Sequence, residues 1–209
     1  MYPKYIKRMF DIILSAAALI LLSPILLMLA GLVRVKLGAP VIFKQERVGK
    51  DEKVFTMYKF RTMSNARDAD GKLLPDEERQ TKFGDMMRST SLDELPELFN
   101  ILRGDLSIVG PRPLLVSYLP YYTREEHLRH SVRGGLTVPE VIYGNVTPTW
   151  DEQFQYEIDY AKNVSFLLDL KIIWHTILIL FKRIKSDYGS EIRRPLDEER
   201  ANRRGSKDD

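Results

Sequence analysis

The feature that most constrains this sequence is an uncharged run of about 22 residues, Ile12 to Val33. A helix of about 20 apolar residues is long enough to cross the hydrocarbon core of a bilayer. Ser23-Pro24 lies at the middle of the run, where a proline removes an intrahelical hydrogen bond and clashes with the preceding turn. The run therefore predicts a membrane helix with a kink at Ser23-Pro24.

Basic residues flank the run on both sides: Lys4, Lys7 and Arg8 before it, and Arg34 and Lys36 after it. Because Lys and Arg concentrate on the cytoplasmic side, this symmetry is best satisfied when both ends lie there. A helix that bends at Ser23-Pro24 and leaves by the face it entered meets both observations. The Ser23 hydroxyl would then help to satisfy the carbonyls freed by the kink. From the residues alone, a re-entrant helix and a single span both remain open.

The rest of the chain predicts an α+β domain. Residues 40–63 are strand-rich around a polar turn at Gly49-Lys50-Asp51-Glu52, which predicts a hairpin. We expect a helix over Ser91–Leu102 and a buried or interfacial helix over Phe166–Lys185. A further helix is expected over Tyr118–Val132, either on the membrane surface, which its pattern slightly favours, or simply on the domain. From Ser186 onward, charged and small polar residues without an apolar period predict a disordered tail.

Composition excludes several classes of protein. The chain has no cysteine, which excludes a disulfide framework and thiolate zinc sites. Its 32 basic and 29 acidic residues leave a net charge of only +3. Nothing in it resembles the signature of an RNA-recognition sheet or a zinc finger, so no nucleic-acid partner is expected.

The adjacent carboxylates Asp93 and Glu94 form the most informative pair. Ser91 and Glu94 fit a capping box, and carboxylates at a helix start commonly do no more than stabilise it by about 0.5–2 kcal/mol. Alternatively, the pair offers a nucleophile beside a base or metal ligand. Two adjacent acids repel unless a cation lies between them, and Mg²⁺ suits carboxylates together with phosphates. Both interpretations are open at this point.

Three basic residues are candidates for binding phosphate. Arg112 stands between Pro111 and Pro113 in a loop punctuated by glycine and proline, where a guanidinium held rigidly can bind a phosphate through two hydrogen bonds. Lys59 and Arg61 alternate on a predicted strand, so we expect them to face the same side. A solvated basic edge is the alternative for that pair.

At these residues the sequence resembles the bacterial sugar transferase family, the monotopic polyprenyl-phosphate phosphoglycosyl transferases. The resemblance runs from about Lys7 to Lys185. The matching blocks are Lys7-Arg8-Met-Phe-Asp11, Ser23-Pro24, Phe43-Lys-Gln-Glu-Arg47-Val-Gly49, Tyr58-Lys59-Phe-Arg61-Thr62-Met63, Ser91-Leu-Asp93-Glu94-Leu-Pro96-Glu-Leu, and Gly104-Asp-Leu-Ser-Ile-Val-Gly-Pro-Arg112-Pro113.

The resemblance implies a helix-rich α+β fold with a re-entrant membrane helix broken at Ser23-Pro24. It implies that Asp93 attacks the sugar-bearing phosphate of a UDP-sugar, expels UMP and passes the phosphosugar to polyprenyl (undecaprenyl) phosphate. Glu94 would assist with metal or proton handling, and Asp93 and Glu94 would hold Mg²⁺. The expected substrate-binding cations are Lys59, Arg61, Arg88 and Arg112.

The expected domains are a re-entrant membrane helix (1–36), a catalytic domain (37–185) and a disordered tail (186–209). The resemblance implies the cytoplasmic face of the bacterial inner membrane and the first membrane step of capsule, O-antigen, exopolysaccharide or glycoprotein glycan assembly. The expected partners are a UDP-sugar, polyprenyl phosphate and inner-membrane lipid. A homodimer and downstream glycosyltransferases remain open as further partners.

The sequence departs from the family downstream. Many members carry Pro-Gly-Ile-Thr-Gly-Trp-Ala-Gln, where this chain has Gly134-Gly-Leu-Thr-Val138-Pro-Glu-Val141. Asn145 stands about where a family arginine would be, so a charge and a bidentate donor are lost there. These differences at Val138 and Asn145 bear on the identity of the sugar, whereas Asp93 and Glu94 are unchanged.

Two other functions are open. The chain could be a membrane-anchored scaffold that kept the fold without activity. It could instead be a metal-dependent glycosyltransferase that uses Asp68 and Asp70 and releases UDP. The residues around Asp68-Ala69-Asp70 are charged and turn-prone, without the alternating strands and helices that such a fold needs.

Overall fold

The computed structural model describes residues 2–144, 148–183 and 194–205. The helices in these ranges are α1 (Lys7–Leu21), α2 (Ser23–Leu37), α3 (Asp76–Arg79), α4 (Lys82–Ser89), α5 (Glu97–Arg103), α6 (Trp150–Lys162), α7 (Phe166–Arg183) and α8 (Leu196–Gly205). The strands are β1 (Ile42–Val48), β2 (Val54–Phe60), β3 (Leu106–Val109) and β4 (Gly134–Thr137). The prediction of a helix-rich α+β fold is confirmed.

The apolar N-terminal run forms a bent pair of helices. Segments Tyr2–Leu21 and Ser23–Leu37 meet at an angle of 64°. Pro24 lies in the first turn of α2, where its missing N–H breaks no helical hydrogen bond. The Ser23 hydroxyl donates to the Ile20 carbonyl at 2.8 Å. The predicted kink at Ser23-Pro24 is therefore confirmed, and so is the role expected for the serine hydroxyl.

No single helix of the described residues is long and apolar enough to cross a membrane, but the bent pair together meets that test of length and composition. Many apolar side chains of this pair are exposed, among them Ile20, Leu21, Leu27 and Val35. Helix α7 also exposes Leu167, Leu170 and Trp174 while burying Ile172. The exposed apolar surface is thus concentrated on α1, α2 and α7.

Polar side chains fasten α1 to the rest of the protein. The Asp11 carboxylate accepts hydrogen bonds from the Ser107 hydroxyl at 3.0 Å and the Ile108 N–H at 2.9 Å. Lys7 donates to Asp169 at 2.8 Å in a buried ion pair. Buried charges are costly unless they are paired, so these contacts fix the position of α1 against β3 and α7.

The predicted hairpin is present. Strands β1 and β2 pair antiparallel from Ile42 opposite Phe60 to Val48 opposite Val54, around a 3₁₀ turn at Lys50–Glu52. Residues that face each other across this ladder share one face of the sheet. That register places Arg47 and Lys59 on the same face.

The helix predicted over Ser91–Leu102 is wrong in its first half. A 3₁₀ turn at Leu92–Glu94 precedes α5, and Ser91 has a left-handed φ of 55° without capping either element. Pro96 lacks an N–H, so an uninterrupted helical hydrogen-bond ladder cannot run through it, and α5 begins at Glu97. The capping box expected from Ser91 and Glu94 does not form.

The surface helix predicted over Tyr118–Val132 is also wrong. The chain forms two 3₁₀ turns, Val116–Tyr121 and Glu126–Ser131, and Pro120 lies inside the first. Tyr118 and Tyr122 are buried in a core cluster with Trp150 and Phe154. The aromatic residues that favoured a membrane-surface helix therefore pack inward against α6.

A short parallel pair, β3 with β4, was not predicted. Leu106 pairs with Gly134 and Val109 with Thr137. A Cβ at Gly135 would lie 2.1 Å from the backbone nitrogen of Gly110, so only glycine permits this approach of the two chains. The pairing holds the loop after β3 against β4.

The predicted disorder of the tail is wrong for residues 194–205. Helix α8 lies there, and Leu196 is completely buried in the cluster with Trp150 and Phe154. Arg200 pairs with Glu126 through two hydrogen bonds of 2.6 Å. These contacts reach distant residues, so no local periodicity marked them. Residues 184–193 and 206–209 lie outside the described residues.

Candidate active site

One open cavity of about 440 Å³ brings together charged side chains from several elements. Its lining residues are Arg47 on β1, Met57 and Lys59 on β2, Glu94, Glu97 on α5, Arg112 and Pro113 after β3, and Gly135, Leu136 and Val138 in and after β4. The cavity therefore lies between the hairpin, the start of α5 and the small parallel sheet.

Three carboxylates at one edge of the cavity, Asp93, Glu94 and Glu97, form what we call the acid cluster. Lys59 Nζ lies 2.7 Å from Glu94 Oε1 and 3.2 Å from Glu97 Oε1. Asp93 is only 8% exposed and adjoins the cavity through Glu94 rather than lining it. One ammonium group thus pairs with two of the three carboxylates, and its charge also favours the ionised form of the third, Asp93.

Burial, together with repulsion between neighbouring carboxylates, raises the pKa values of Asp93 and Glu97. Burial, followed by repulsion from Glu94, raises the pKa of Asp93 to about 6. Burial also raises the pKa of Glu97 to about 7, although Lys59 opposes it. For Lys59, burial favours the neutral form, but Glu94 and Glu97 outweigh it and raise the pKa. Asp93 and Glu97 therefore titrate near neutral pH, which is common among catalytic carboxylates.

A buried asparagine sets the spacing of the acid cluster and Lys59. Asn100 on α5 is completely buried; its side-chain oxygen accepts from the Tyr58 N–H at 3.1 Å, and its nitrogen donates to the Thr56 carbonyl at 2.7 Å. These two bonds join α5 to the edge of β2. Because Lys59 follows Tyr58 and Glu97 begins α5, the bonds hold the lysine opposite the glutamate.

The guanidinium groups of Arg47 and Arg112 share the cavity with Glu94 and Glu97, and neither forms a salt bridge with a carboxylate of the described residues. Burial lowers the pKa of Arg47, and the nearby charge of Arg112 lowers it further. Arg112 is exposed, and its guanidinium forms no hydrogen bond or salt bridge with residues 2–144, 148–183 or 194–205. A phosphate would relieve this repulsion because it accepts bidentate hydrogen bonds from arginine.

The structure brings together most of the residues expected at the site. Lys59, Glu94 and Arg112 line the cavity, and Asp93 is next to them. Arg88 lies outside the lining, where it donates to the Thr62 hydroxyl at 3.1 Å and pairs with Asp85. Its charge nevertheless favours the ionised form of Asp93.

Arg61 does not share the site of Lys59, contrary to the expectation. It follows the end of β2, is 5% exposed, and donates to the carbonyls of Leu37 and Ala39. A cation at the carboxyl end of a helix is favoured by the helix dipole, and Leu37 is the last residue of α2. Arg61 thus caps α2 instead of binding substrate in this cavity.

The other candidates are placed as follows. Asp68 and Asp70 are exposed in a turn, where Asp68 accepts from the N–H groups of Asp70 and Lys72, and neither carboxylate lines the cavity. Val138 contributes to the cavity wall. Asn145 lies outside the described residues.

Arg47 and Glu97 are site residues that sequence reasoning missed. Both belong to the blocks that carried the resemblance, yet neither was assigned a role. The hairpin register would have placed Arg47 on the face of Lys59. Glu97 follows Glu94 by three residues, the spacing of neighbours on a helix, and Pro96 obscured that relation.

Asp93 and Glu94 are the residues expected to hold Mg²⁺. No group of three or more His, Cys, Asp or Glu side chains in the described ranges is arranged to hold a metal ion. Burial and then repulsion from Glu94 raise the pKa of Asp93, so a cation near Asp93 would favour its ionised form. Mg²⁺ is commonly held by one or two carboxylates plus substrate phosphates. Asp93 and Glu94 have the carboxylate oxygens that Mg²⁺ takes, and their role as its ligands stays a prediction.

A family model described as "Bacterial sugar transferase" matches residues 2–183. The chain belongs to the bacterial sugar transferase family. The resemblance carried by the sequence blocks is therefore confirmed, and the match ends where α7 ends. The candidate site described above lies entirely within the matched residues of this sugar transferase.

Curated members of the sugar transferase family share between about a third and a half of their aligned residues with this chain. "Uncharacterized sugar transferase EpsL" of Bacillus subtilis is 49% identical over 172 residues, which are 82% of this chain and 85% of that protein. "UDP-glucose:undecaprenyl-phosphate glucose-1-phosphate transferase" of Klebsiella pneumoniae is 41% identical over 82% of this chain but 39% of its own length.

A third relative, from Aeromonas hydrophila, is "UDP-N-acetylgalactosamine-undecaprenyl-phosphate N-acetylgalactosaminephosphotransferase". It is 37% identical over 83% of this chain and 43% of its own length. This sugar transferase therefore spans less than half the length of the two relatives named for their reactions.

Proposed function

We propose that this sugar transferase moves a sugar-1-phosphate from a UDP-sugar to undecaprenyl phosphate and releases UMP. Two relatives are named for transfers of this kind. The observation that carries the proposal is the cavity itself, in which Glu94 and Glu97, with Asp93 next to them, share the lining with the guanidinium groups of Arg47 and Arg112. A buried carboxylate beside a place for phosphates suits nucleophilic attack on phosphorus.

In the first step, an Asp93 carboxylate oxygen attacks the sugar-bearing phosphorus of the UDP-sugar. The bond from that phosphorus to the bridging oxygen breaks, and UMP leaves with the electron pair. The product is a phosphosugar on the Asp93 carboxylate. With a pKa of about 6, Asp93 is mostly ionised at neutral pH and ready to attack. Lys59, Arg47 and Arg112 stabilise the negative charge of the phosphates.

In the second step, a phosphate oxygen of undecaprenyl phosphate attacks the same phosphorus. The bond to Asp93 breaks, which restores the carboxylate and yields an undecaprenyl diphosphate sugar. Glu97, with a pKa of about 7, is placed to accept any proton that the incoming phosphate still carries. Mg²⁺ held by Asp93, Glu94 and substrate phosphates would supply further positive charge.

The bent pair α1 and α2 enters and leaves the membrane by its cytoplasmic face in this proposal. A soluble nucleotide and a lipid-borne phosphate must reach one carboxylate, so the site belongs at the depth of the lipid headgroups. The 64° bend and the exposed apolar side chains of the pair support a re-entrant arrangement in the bacterial inner membrane.

Topology can be tested with single cysteines, because the chain has none of its own. We expect Lys4→Cys and Ala39→Cys to react with a membrane-impermeant maleimide from the same side in inverted vesicles. A cysteine in place of the exposed Leu21, at the bend, should be protected. Labelling of positions 4 and 39 from opposite sides would show a span instead.

Transfer is tested with the purified full-length chain, undecaprenyl phosphate, Mg²⁺ and a series of UDP-sugars. We expect UMP release with at least one sugar, and a drop of about 10³-fold or more in Asp93→Asn because the nucleophile is removed. The matched control is Asp68→Asn, an exposed acid outside the cavity. Release of UDP, or undiminished release by Asp93→Asn, would contradict the proposal.

A further inference from the structure

The loop that carries Arg112 is held at each of its peptides. The Gly110 N–H donates to the Thr137 carbonyl at 3.1 Å, and the Pro111 carbonyl accepts from the Gly135 N–H at 2.9 Å. The Pro113 carbonyl accepts from Arg47 at 3.3 Å. Strand β4 and the hairpin thus support both ends of the loop.

The peptide groups of Arg112 itself are held by a buried ion pair. Glu157 on α6 accepts the Arg112 N–H with Oε1 at 2.9 Å. The same glutamate accepts from Arg129 Nε with Oε2 at 2.6 Å, and Arg129 donates to the Arg112 carbonyl at 2.5 Å. We call Glu157 and Arg129 the clamp. Both clamp side chains are almost completely buried, at 0% and 1% exposure.

The contrast within Arg112 is informative. Its backbone donor and acceptor are both bound by charged groups, whereas its side chain is exposed and lines the cavity. Hydrogen bonds to ionised groups are stronger and more directional than those between neutral groups. A fold that needed only to satisfy this peptide could do so without burying two charges, which is costly.

We infer that Glu157 and Arg129 are positioning residues for Arg112, whose backbone they hold so that its guanidinium faces the diphosphate of the UDP-sugar. The inference rests on the proposed function, since Arg112 must bind the nucleotide for its position to matter. The clamp residues touch neither substrate nor the reacting atoms. They act through Arg112, so their effect should disappear when the Arg112 side chain is absent.

The test uses the full-length chain in detergent and UDP, the part that every UDP-sugar shares, with binding measured by calorimetry. We expect Arg112→Ala to weaken UDP binding about tenfold, and the charge-conserving Arg129→Lys and Glu157→Asp to weaken it by about three- to tenfold. In the double variants, Arg112→Ala with either clamp substitution should bind no more weakly than Arg112→Ala alone.

A matched control separates positioning from folding. Glu126→Gln disrupts another largely buried ion pair, with Arg200, on the same 3₁₀ turn as Arg129. We expect it to lower the midpoint of thermal unfolding while UDP affinity stays within about twofold. If a clamp variant is not folded at 25 °C, the other is measured; if both are unfolded, Arg129→Lys is measured at 10 °C, where folding is confirmed by circular dichroism.

The outcomes distinguish this inference from the proposed function. Clamp variants that bind UDP like the wild type, or whose losses multiply with that of Arg112→Ala, would overturn the positioning role. Wild-type UDP affinity in Arg112→Ala would overturn it as well, while UMP release by the wild type would leave the transfer reaction standing. No UMP release with any UDP-sugar would contradict the proposed function, whatever the binding data show.

Discussion

Two groups of buried charge lie beside the same cavity and are built in opposite ways. The acid cluster has three carboxylates and one lysine, and the pKa values of Asp93 and Glu97 rise to about 6 and about 7. In the clamp, both carboxylate oxygens of Glu157 accept from charged or backbone donors, and burial is complete. One group carries excess negative charge, and the other pairs a carboxylate with a guanidinium.

The difference separates chemistry from support. A carboxylate that lacks a full set of partners can change its protonation or attack an electrophile near neutral pH. A fully paired carboxylate is fixed in charge and geometry, so it can orient a neighbour but does not react. The comparison predicts that equivalent substitutions in the two groups have opposite effects on stability.

The largest expected effect is on the clamp. Glu157→Gln leaves the Arg129 guanidinium buried without its carboxylate, so we expect the free energy of unfolding to fall by about 3–5 kcal/mol. Urea denaturation of the full-length chain in detergent at pH 7.5 measures it. The control is Glu125→Gln, which removes an exposed pair with Lys162 and should cost less than about 1 kcal/mol. If both variants lost the same free energy of unfolding, the structural role of the buried Glu157–Arg129 pair would be contradicted.

The next largest effect is on the compensating lysine. Lys59→Met removes the only ammonium paired with Glu94 and Glu97 in the described structure, and we expect UMP release to fall about 100-fold. The acid limb of its pH profile should also move above pH 6, because the Lys59 charge favours ionised Asp93. Lys59→Arg keeps the charge and should retain the position of that limb. An unmoved limb in Lys59→Met would show that the lysine does not tune the aspartate.

The third prediction concerns Asp93, where replacing the carboxylate should raise the free energy of unfolding instead of lowering it. The pKa of Asp93 rises from 3.8 to about 6 on folding, so the folded state favours the protonated form. The protonated Asp93 therefore contributes to the stability of the folded state below about pH 4, and this stability is lost as the pH rises through 6. Asp93→Asn should therefore be more stable than the wild type by about 1–3 kcal/mol at pH 8 and equally stable near pH 4. Denaturation of both proteins at the two pH values measures the difference, and a destabilised Asp93→Asn at pH 8 would contradict it.

The smallest effect is expected at Arg61, a buried cation bound to backbone carbonyls outside the cavity. Arg61→Gln should change the dissociation constant of UDP by less than about twofold, since the side chain caps α2 and does not face the phosphates. Calorimetry alongside Arg112→Gln measures the contrast. If UDP binding were weakened equally in the two variants, Arg61 would have to be a binding residue.

Several elements could be predicted because their causes are local. The kink follows from the missing N–H of Pro24, and the hairpin from two apolar strands around a polar turn. Helix α7 follows from its apolar residues, up to Arg183. Asp93, Glu94, Lys59 and Arg112 could be named because they lie in short blocks that resemble a known family.

Other features could not be predicted because their causes are distant in sequence. Arg129 and Glu157 are 28 residues apart, and the Arg112 peptide that they hold lies on a third segment. The pairing of β3 with β4 and the burial of Leu196 against Trp150 depend on similar long-range approaches. Such contacts form only when separate elements pack, so no local pattern marks them.

The sequence by itself determined the bent apolar N-terminus, the strand hairpin and the chemical types available at the site, because each depends on residues that are neighbours in the chain. Only the tertiary structure decided that Glu97 and Arg47 join the cavity, that Arg61 lies outside it, and that one lysine pairs with both Glu94 and Glu97. The reason is electrostatic. Charge excess and burial are properties of an assembled environment, and they set the pKa values on which the proposed reaction depends.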